Sequence, residues 1–159
     1  MGMMGDFRLV PDTVLAELTA KPDTVLHFLY DEEVAASDLL SVEKAWHGIH
    51  FLLNHSAYEG EPPLDFIVRG GHPLGPDAAY GPARLFSAEE LQKISQALEP
   101  FIPGILRKRF DIDGLLENAI YPNQWSGEEA EWLIDTFTQL KRFLGAGVQR
   151  GLGLVVCIR

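Results

Sequence analysis

The chain has 159 residues, 47% hydrophobic and 23% charged, an ordinary globular balance that fits one domain over residues 1–159 and argues against disorder. Thirteen Lys and Arg against 23 Asp and Glu give a net charge of −10, which repels a phosphate backbone and argues against nucleic acid as a partner. The single Cys157 excludes an internal disulfide, and no apolar run reaches the roughly 18 residues of a membrane span.

In chain order, residues 6–10 (DFRLV) lie between Gly5 and Pro11 and predict an opening strand. The pentapeptide PDTVL occurs twice, at 11–15 and 22–26. A Pro-Asp-Thr start feeding apolar residues at helical spacing predicts two short helices, not a repeat architecture. After an acidic, small-residue segment over 32–40, Ser41 is expected to cap one long amphipathic helix over 41–55 (SVEKAWHGIHFLLNH). In it Val42, Trp46, Ile49 and Leu53 form a core-facing stripe. Residues 58–63 read as a loop, 64–69 as a strand, and the Gly- and Pro-rich 70–82 as a long connection, a length usually reserved for functional or mobile loops.

Ser87-Ala88-Glu89-Glu90 has capping-box spacing and opens a helix through Leu91, Ile94 and Leu98. Pro100 and Pro103 divide it from residues 105–110, and Asp111 can start a short helix ending near Asn118. Ser126 to Glu129 repeats the capping-box spacing ahead of a last long helix with the stripe Ala130, Leu133, Phe137, Leu140 and Leu144, expected to exit through Gly145, Gly147 and Gly151. Residues 152–158 predict a buried closing strand in which Cys157 is a structural thiol with no activating base beside it. Strands at both ends separated by several helices predict an α+β fold: a single compact domain with a small mixed sheet that includes both terminal strands.

The richest stretch for chemistry is 41–55, which holds Trp46 and three of the five histidines. On one helix Glu43, His47 and His50 fall within roughly 60° of arc and could face a shared cleft. A neutral imidazole can move a proton near pH 7, and a carboxylate one turn away could orient it. The preferred reading is that His50 hydrogen-bonds at the core margin while Glu43 and His47 are solvated. The His-x-x-His spacing lacks the His-Glu-x-x-His order and a third ligand, so no metal site is expected. Gly70-Gly71-His72 follows the strand expected at 64–69 and could form an anion nest, although it matches neither glycine-rich phosphate pattern and an ordinary turn is the plainer reading. Arg84 offers a fixed fork for a carboxylate or phosphate, Tyr80 a phenol at the loop edge, and Tyr121 with Trp125 an apolar cluster with polar handles. An ion pair for Arg84 and simple loop packing for Tyr121 are the structural alternatives.

The start MGMMG, DLLSVEKAWHGIHFLLNH, IVRGGHPLG, YGPARLFSAEEL and IYPNQW, in this order, resemble the YfbM-like family of bacterial proteins of uncharacterised function. The chain departs from the family's usual pattern where Asn54-His55 replaces a small residue and Gly at the end of the Trp/His helix. The resemblance implies a single α+β domain, bacterial and cytoplasmic, and it transfers no reaction, cofactor or catalytic residue. Residence in the cytoplasm is also expected from an N-terminus without basic and apolar leader regions. Two functions follow as expectations. The first is a non-enzymatic binding or interaction domain that takes a protein partner or a small anionic ligand. Its ligand-binding set is Glu43, Trp46, His47, Gly70, Gly71, His72 and Tyr121. The second is a hydrolase or transferase with His50 as acid/base, Arg84 as anion holder and Tyr80 or Tyr121 as hydrogen-bonding group.

Overall fold

The computed structural model describes residues 2–31 and 33–159. β1 (Gly5–Val10) pairs along its length with β5 (Gly153–Ile158), from Gly5 opposite Ile158 to Val10 opposite Gly153. β2 (Leu39–Glu43) closes the sheet beside β1; β4 (Pro82–Phe86) and then the edge strand β3 (His72–Asp77) extend it beyond β5, giving the order β2-β1-β5-β4-β3. Each pairing is antiparallel, so the expected sheet is present but is not mixed.

Period-two alternation splits β1 between two apolar clusters. Phe7 and Leu9 face the main core, where they meet α3 (Trp46–Asn54), α4 (Ala88–Leu98) and α7 (Glu129–Gln149). Val10 faces a smaller cluster beneath α1 (Asp12–Ala20) and α2 (Val25–Leu29), with Leu15, Leu18, Val25 and Val155. A short 3-10 turn, Pro22–Thr24, joins those two helices; the second PDTVL start predicts a helix from Pro22, and α2 follows from Val25. Phe7, Phe66 and Phe137 are fully buried in the main core, each contributing roughly 2–3 kcal/mol of hydrophobic stabilisation. α5 (Pro103–Arg109) and α6 (Ile112–Glu117) complete the helical layer. Among the described residues no helix is long and apolar enough to cross a membrane.

The capping box at Ser87 is complete: Ser87 Oγ accepts from Glu90 N at 3.1 Å and Glu90 Oε1 accepts from Ser87 N at 3.0 Å. The second box is half formed. Glu129 Oε2 accepts from Ser126 N and Oγ at 2.8 and 2.9 Å, but the return bond to Ser126 Oγ comes from Glu128 N, at 3.4 Å.

Four segments differ from their sequence reading. Residues 41–55 are not one helix: Ser41 and Val42 belong to β2, and the helix starts at Trp46. Ser41 pairs with Asp6, and Glu43 takes φ 51°, a turn that breaks any helical continuation into α3. The end at Asn54-His55 resolves in the same terms, with His55 at φ 56° and its N–H donating to Phe51 O at 2.8 Å. Residues 64–69 form helical turns, in which Val68 N and Arg69 N donate to Asp65 O at 3.2 and 2.9 Å; a short apolar run does not distinguish that from a strand. The span 70–82 is largely the β3–β4 hairpin, its turn closed by Asp77 Oδ1, which accepts from Ala79 N and Gly81 N, both at 2.9 Å. Pro73 and Pro76 suggest a loop, yet β3 is an edge strand, where missing donors are tolerated. Finally, Gly145 and Gly147 lie inside α7, and the exit is made by Gly151 alone, at φ 68°.

Candidate functional site

α3 is buried on nearly every side. At Gly48 an added Cβ would lie 2.9 Å from Leu133 and Trp125, so glycine lets α7 approach this closely. His47 is 1% and His50 0% exposed. The Nδ1 of His47 lies 2.8 Å from Tyr121 N, and a backbone N–H can only donate. Nδ1 is therefore the acceptor, and the ring proton sits on Nε2, which donates to Ala57 O at 2.8 Å. The ring stacks on Trp46, with centroids 4.7 Å apart, and meets Tyr58 at 4.9 Å in a tilted contact.

His50 repeats the arrangement. Its Nδ1 faces the Asn54 amide nitrogen at 3.2 Å and its Nε2 the Glu59 carbonyl at 3.1 Å. The same Asn54 amide donates to Leu64 O at 2.9 Å, tying α3 to the turns that follow. Burial pushes the pKa of His50 down to about 4; the Glu59 carbonyl opposes the shift, and the positive fields of Arg69 and Arg84, with that of His47 when it is protonated, add to it. Burial also lowers that of His47. Both imidazoles are thus held neutral with both nitrogens in use, and they join the 55–61 loop to the helix.

Arg84 reaches from β4 to the end of the 62–69 turns, where carbonyls lack helical partners. Its Nη1 donates to Phe66 O at 2.9 Å, Gly70 O at 3.3 Å and Arg69 O, and its Nη2 to Ile67 O. Burial lowers its pKa to about 10, so it remains charged at neutral pH. Most of the fork is committed to backbone, whereas Nε makes no hydrogen bond among the described residues.

Arg84 also lines a cleft of about 330 Å³ with Met3, Trp46, Tyr58, Val68, Tyr80, Pro82 and Ile158. Tyr58 and Tyr80 form its rim at 58% and 57% exposure. Tyr121 stands behind this wall. It stacks on Trp46 at 6.0 Å, and its hydroxyl accepts from Met3 N at 3.0 Å while the Trp46 indole donates to Met3 O at 3.1 Å.

A second cleft of about 300 Å³ opens on the other side of the same segment, lined by Pro62, Pro63, Asp65, Phe66, Gly70, Gly71, Phe86, Glu90, Lys93 and Ile94. Gly71, at φ 70°, has no room for a Cβ, which would lie 2.8 Å from Leu85 O. Asp65 is 5% exposed, and burial raises its carboxyl pKa.

The residues singled out in the sequence therefore separate. Trp46, Tyr80 and Arg84 share the first cleft; Gly70 and Gly71 line the second. Glu43 is an exposed residue of β2, off the helix that carries His47 and His50. His72 begins an exposed edge strand, 3.5 Å from Glu90, and is not part of a phosphate-type turn. Among the described residues no group of three or more His, Cys, Asp or Glu is placed to hold a metal ion. Sequence reasoning missed Tyr58 and Asp65. The second had a readable signal, a lone carboxylate inside the apolar run Leu64-Asp65-Phe66-Ile67-Val68.

Comparison with known proteins agrees with this architecture. Protein YfbM of Escherichia coli (strain K12) is 31% identical over 134 residues, covering 82% of this chain and 80% of that protein. The crystal structure of YfbM from Escherichia coli, described as a protein of unknown function, superposes with a TM-score of 0.75 at 24% identity, covering 98% of this chain and 99% of that one. The model of the family described as a domain of unknown function (DUF1877) matches residues 1–157, and the chain belongs to that family.

Proposed function

We propose that the protein is a binding module whose Trp46–Tyr80–Arg84 cleft takes a small planar ligand carrying a carboxylate or carbonyl acceptor. The observation that carries this reading is the division of labour among the polar groups. The imidazoles of His47 and His50 are closed by hydrogen bonds, while the cleft combines apolar walls and two exposed phenols with Arg84, whose Nε makes no hydrogen bond among the described residues. Aromatic walls with few convergent polar groups suit a ring that stacks and an acceptor that is oriented. A general acid or base needs a group free to exchange a proton near neutral pH, and His50, with its pKa near 4, is poorly matched to that task. The hydrolase or transferase reading is accordingly set below the binding one. Residence in a bacterial cytoplasm belongs to the same proposal, favoured by the Escherichia coli relative and the buried free thiol of Cys157.

The test is titration with a panel of aromatic and heteroaromatic carboxylates and amides, followed by the indole N–H resonance of Trp46. A ligand should shift that resonance, and Tyr80→Ala should weaken it about tenfold, the factor for loss of one stacking contact of roughly 1.4 kcal/mol. Ligands that leave Trp46 unperturbed, or that bind Tyr80→Ala equally well, would remove the cleft from consideration.

A further inference from the structure

The second cleft has a different chemistry. Its floor is apolar, made by Phe66, Phe86 and Ile94, and its buried polar group is Asp65. No described cation forms an ion pair with that carboxylate, and no described side chain or neighbouring backbone group donates to it apart from its own residue's N–H. Burial raises the pKa of this carboxyl, while its own residue's N–H and the positive fields of Arg69 and Arg84 oppose the shift, so the ionised group carries a desolvation cost that is only partly offset. Arg84 offsets that cost through its field alone, because its Nη atoms donate to the carbonyls of residues 66, 67, 69 and 70 and it forms no ion pair with Asp65 among the described residues.

The remaining charges around the cleft point the same way. Glu90 contributes a second carboxylate, held by Ser87 N. Lys93, the cation on the lining, is 3.4 Å from Glu89 and is drawn toward it. The backbone leaves the space open: Gly70 sits beside Asp65, and a Cβ added there would lie 3.8 Å from Asp65 Oδ1 and 3.7 Å from the Phe86 ring. The volume of about 300 Å³ fits a small molecule at the lower end of ordinary ligand sites. A metal ion is a poorer match, since hard cations require more carboxylate and carbonyl ligands than one Asp supplies.

We propose that this cleft binds a small organic amine, its ammonium group on Asp65 and its cyclic or aromatic body against Phe66, Phe86 and Ile94. The ammonium supplies the donors that the carboxylate lacks, and the ring covers apolar surface that α4 and the 62–71 segment leave open. The site is independent of the Trp46–Tyr80–Arg84 cleft, and either proposal can fail alone.

The probes are benzylamine and its neutral analogue benzyl alcohol, titrated into the full chain at neutral pH and followed by amide and side-chain chemical shifts. Benzylamine should bind at least about tenfold more tightly than the alcohol, the ratio expected when one charge-assisted hydrogen bond is gained. Its shifts should centre on Asp65, Phe66, Gly70 and Phe86. Asp65→Asn should abolish the preference for the amine, while Tyr80→Ala should leave it unchanged. The amine-to-alcohol ratio on the unmodified protein decides the matter even where Asp65→Asn fails to fold. Equal binding of the two probes, no binding of either, amine shifts mapping elsewhere, or a preference that survives Asp65→Asn would each overturn the proposal.

Discussion

His47 and His50 on α3 and Asp65 in the adjoining turns are all buried, side by side in the same part of the fold, yet their polar atoms are treated in opposite ways. Each histidine nitrogen has a partner between 2.8 and 3.2 Å away. The Asp65 carboxylate lines a cleft and forms no ion pair among the described residues, although the fields of Arg69 and Arg84 reach it. A buried polar group whose bonds are closed stabilises one arrangement of the chain, whereas one left open carries a cost that a ligand can relieve. Residue type alone favours the histidines as the functional groups; hydrogen bonding reverses the order.

The largest effect should come from breaking the closed side. His47→Ala leaves Ala57 O and Tyr121 N without partners and removes the middle ring between Trp46 and Tyr58, which should cost about 4 kcal/mol in urea unfolding. A loss below about 1 kcal/mol would show that the bracket is not structural. Arg84→Met should follow at about 3 kcal/mol, because four carbonyls lose a charged donor. Arg84→Lys should recover little of it, since an ammonium cannot span the fork.

Acid gives the next effect. The unfolded chain takes up a proton on His50 below about pH 6.5, whereas the folded chain does so only near pH 4. This contribution to stability is complete above pH 6.5 and is lost as pH falls toward 4, amounting to about 2 kcal/mol by pH 5. His50→Asn should flatten that part of the stability profile measured by denaturant unfolding between pH 7 and pH 5. The smallest effect belongs to the open side: Tyr80→Ala, at the exposed rim, should change stability by no more than about 0.5 kcal/mol while weakening a ligand of the first cleft.

Much of the fold was legible because local rules and tertiary packing agreed. The terminal strands, the PDTVL starts, the Ser87 capping box and the Leu133-Phe137-Leu140-Leu144 stripe each state locally what the sheet and core require. Where they disagreed, long-range pairing prevailed. The hydrophobic spacing of Val42, Trp46, Ile49 and Leu53 is helical, yet Val42 lies in β2 between Ser41 and Glu43, which pair with Asp6 and Gly5 of β1, and periodicity does not report such pairing. Pro73, Gly75 and Pro76 conceal a strand because β3 lies at the sheet edge. The cleft was half legible for a similar reason. Tyr80 and Arg84 are close in sequence on one hairpin, whereas Met3, Tyr58 and Ile158 reach the same cleft from distant parts of the chain. Hydrogen bonding of His50 was legible in outline, but the burial of His47 and the partners of both rings were not, since those partners are mainly backbone groups of residues 57, 59 and 121.

The most direct measurement is the pH titration of the imidazole nitrogens by 15N NMR. The account predicts that His47 and His50 both appear as neutral Nε2–H tautomers, and that the His50 ring stays neutral down to about pH 5. Protonation of either ring near the ordinary value of about 6.5, or a mixture of tautomers at neutral pH, would contradict it and return the α3 histidines to the list of functional groups.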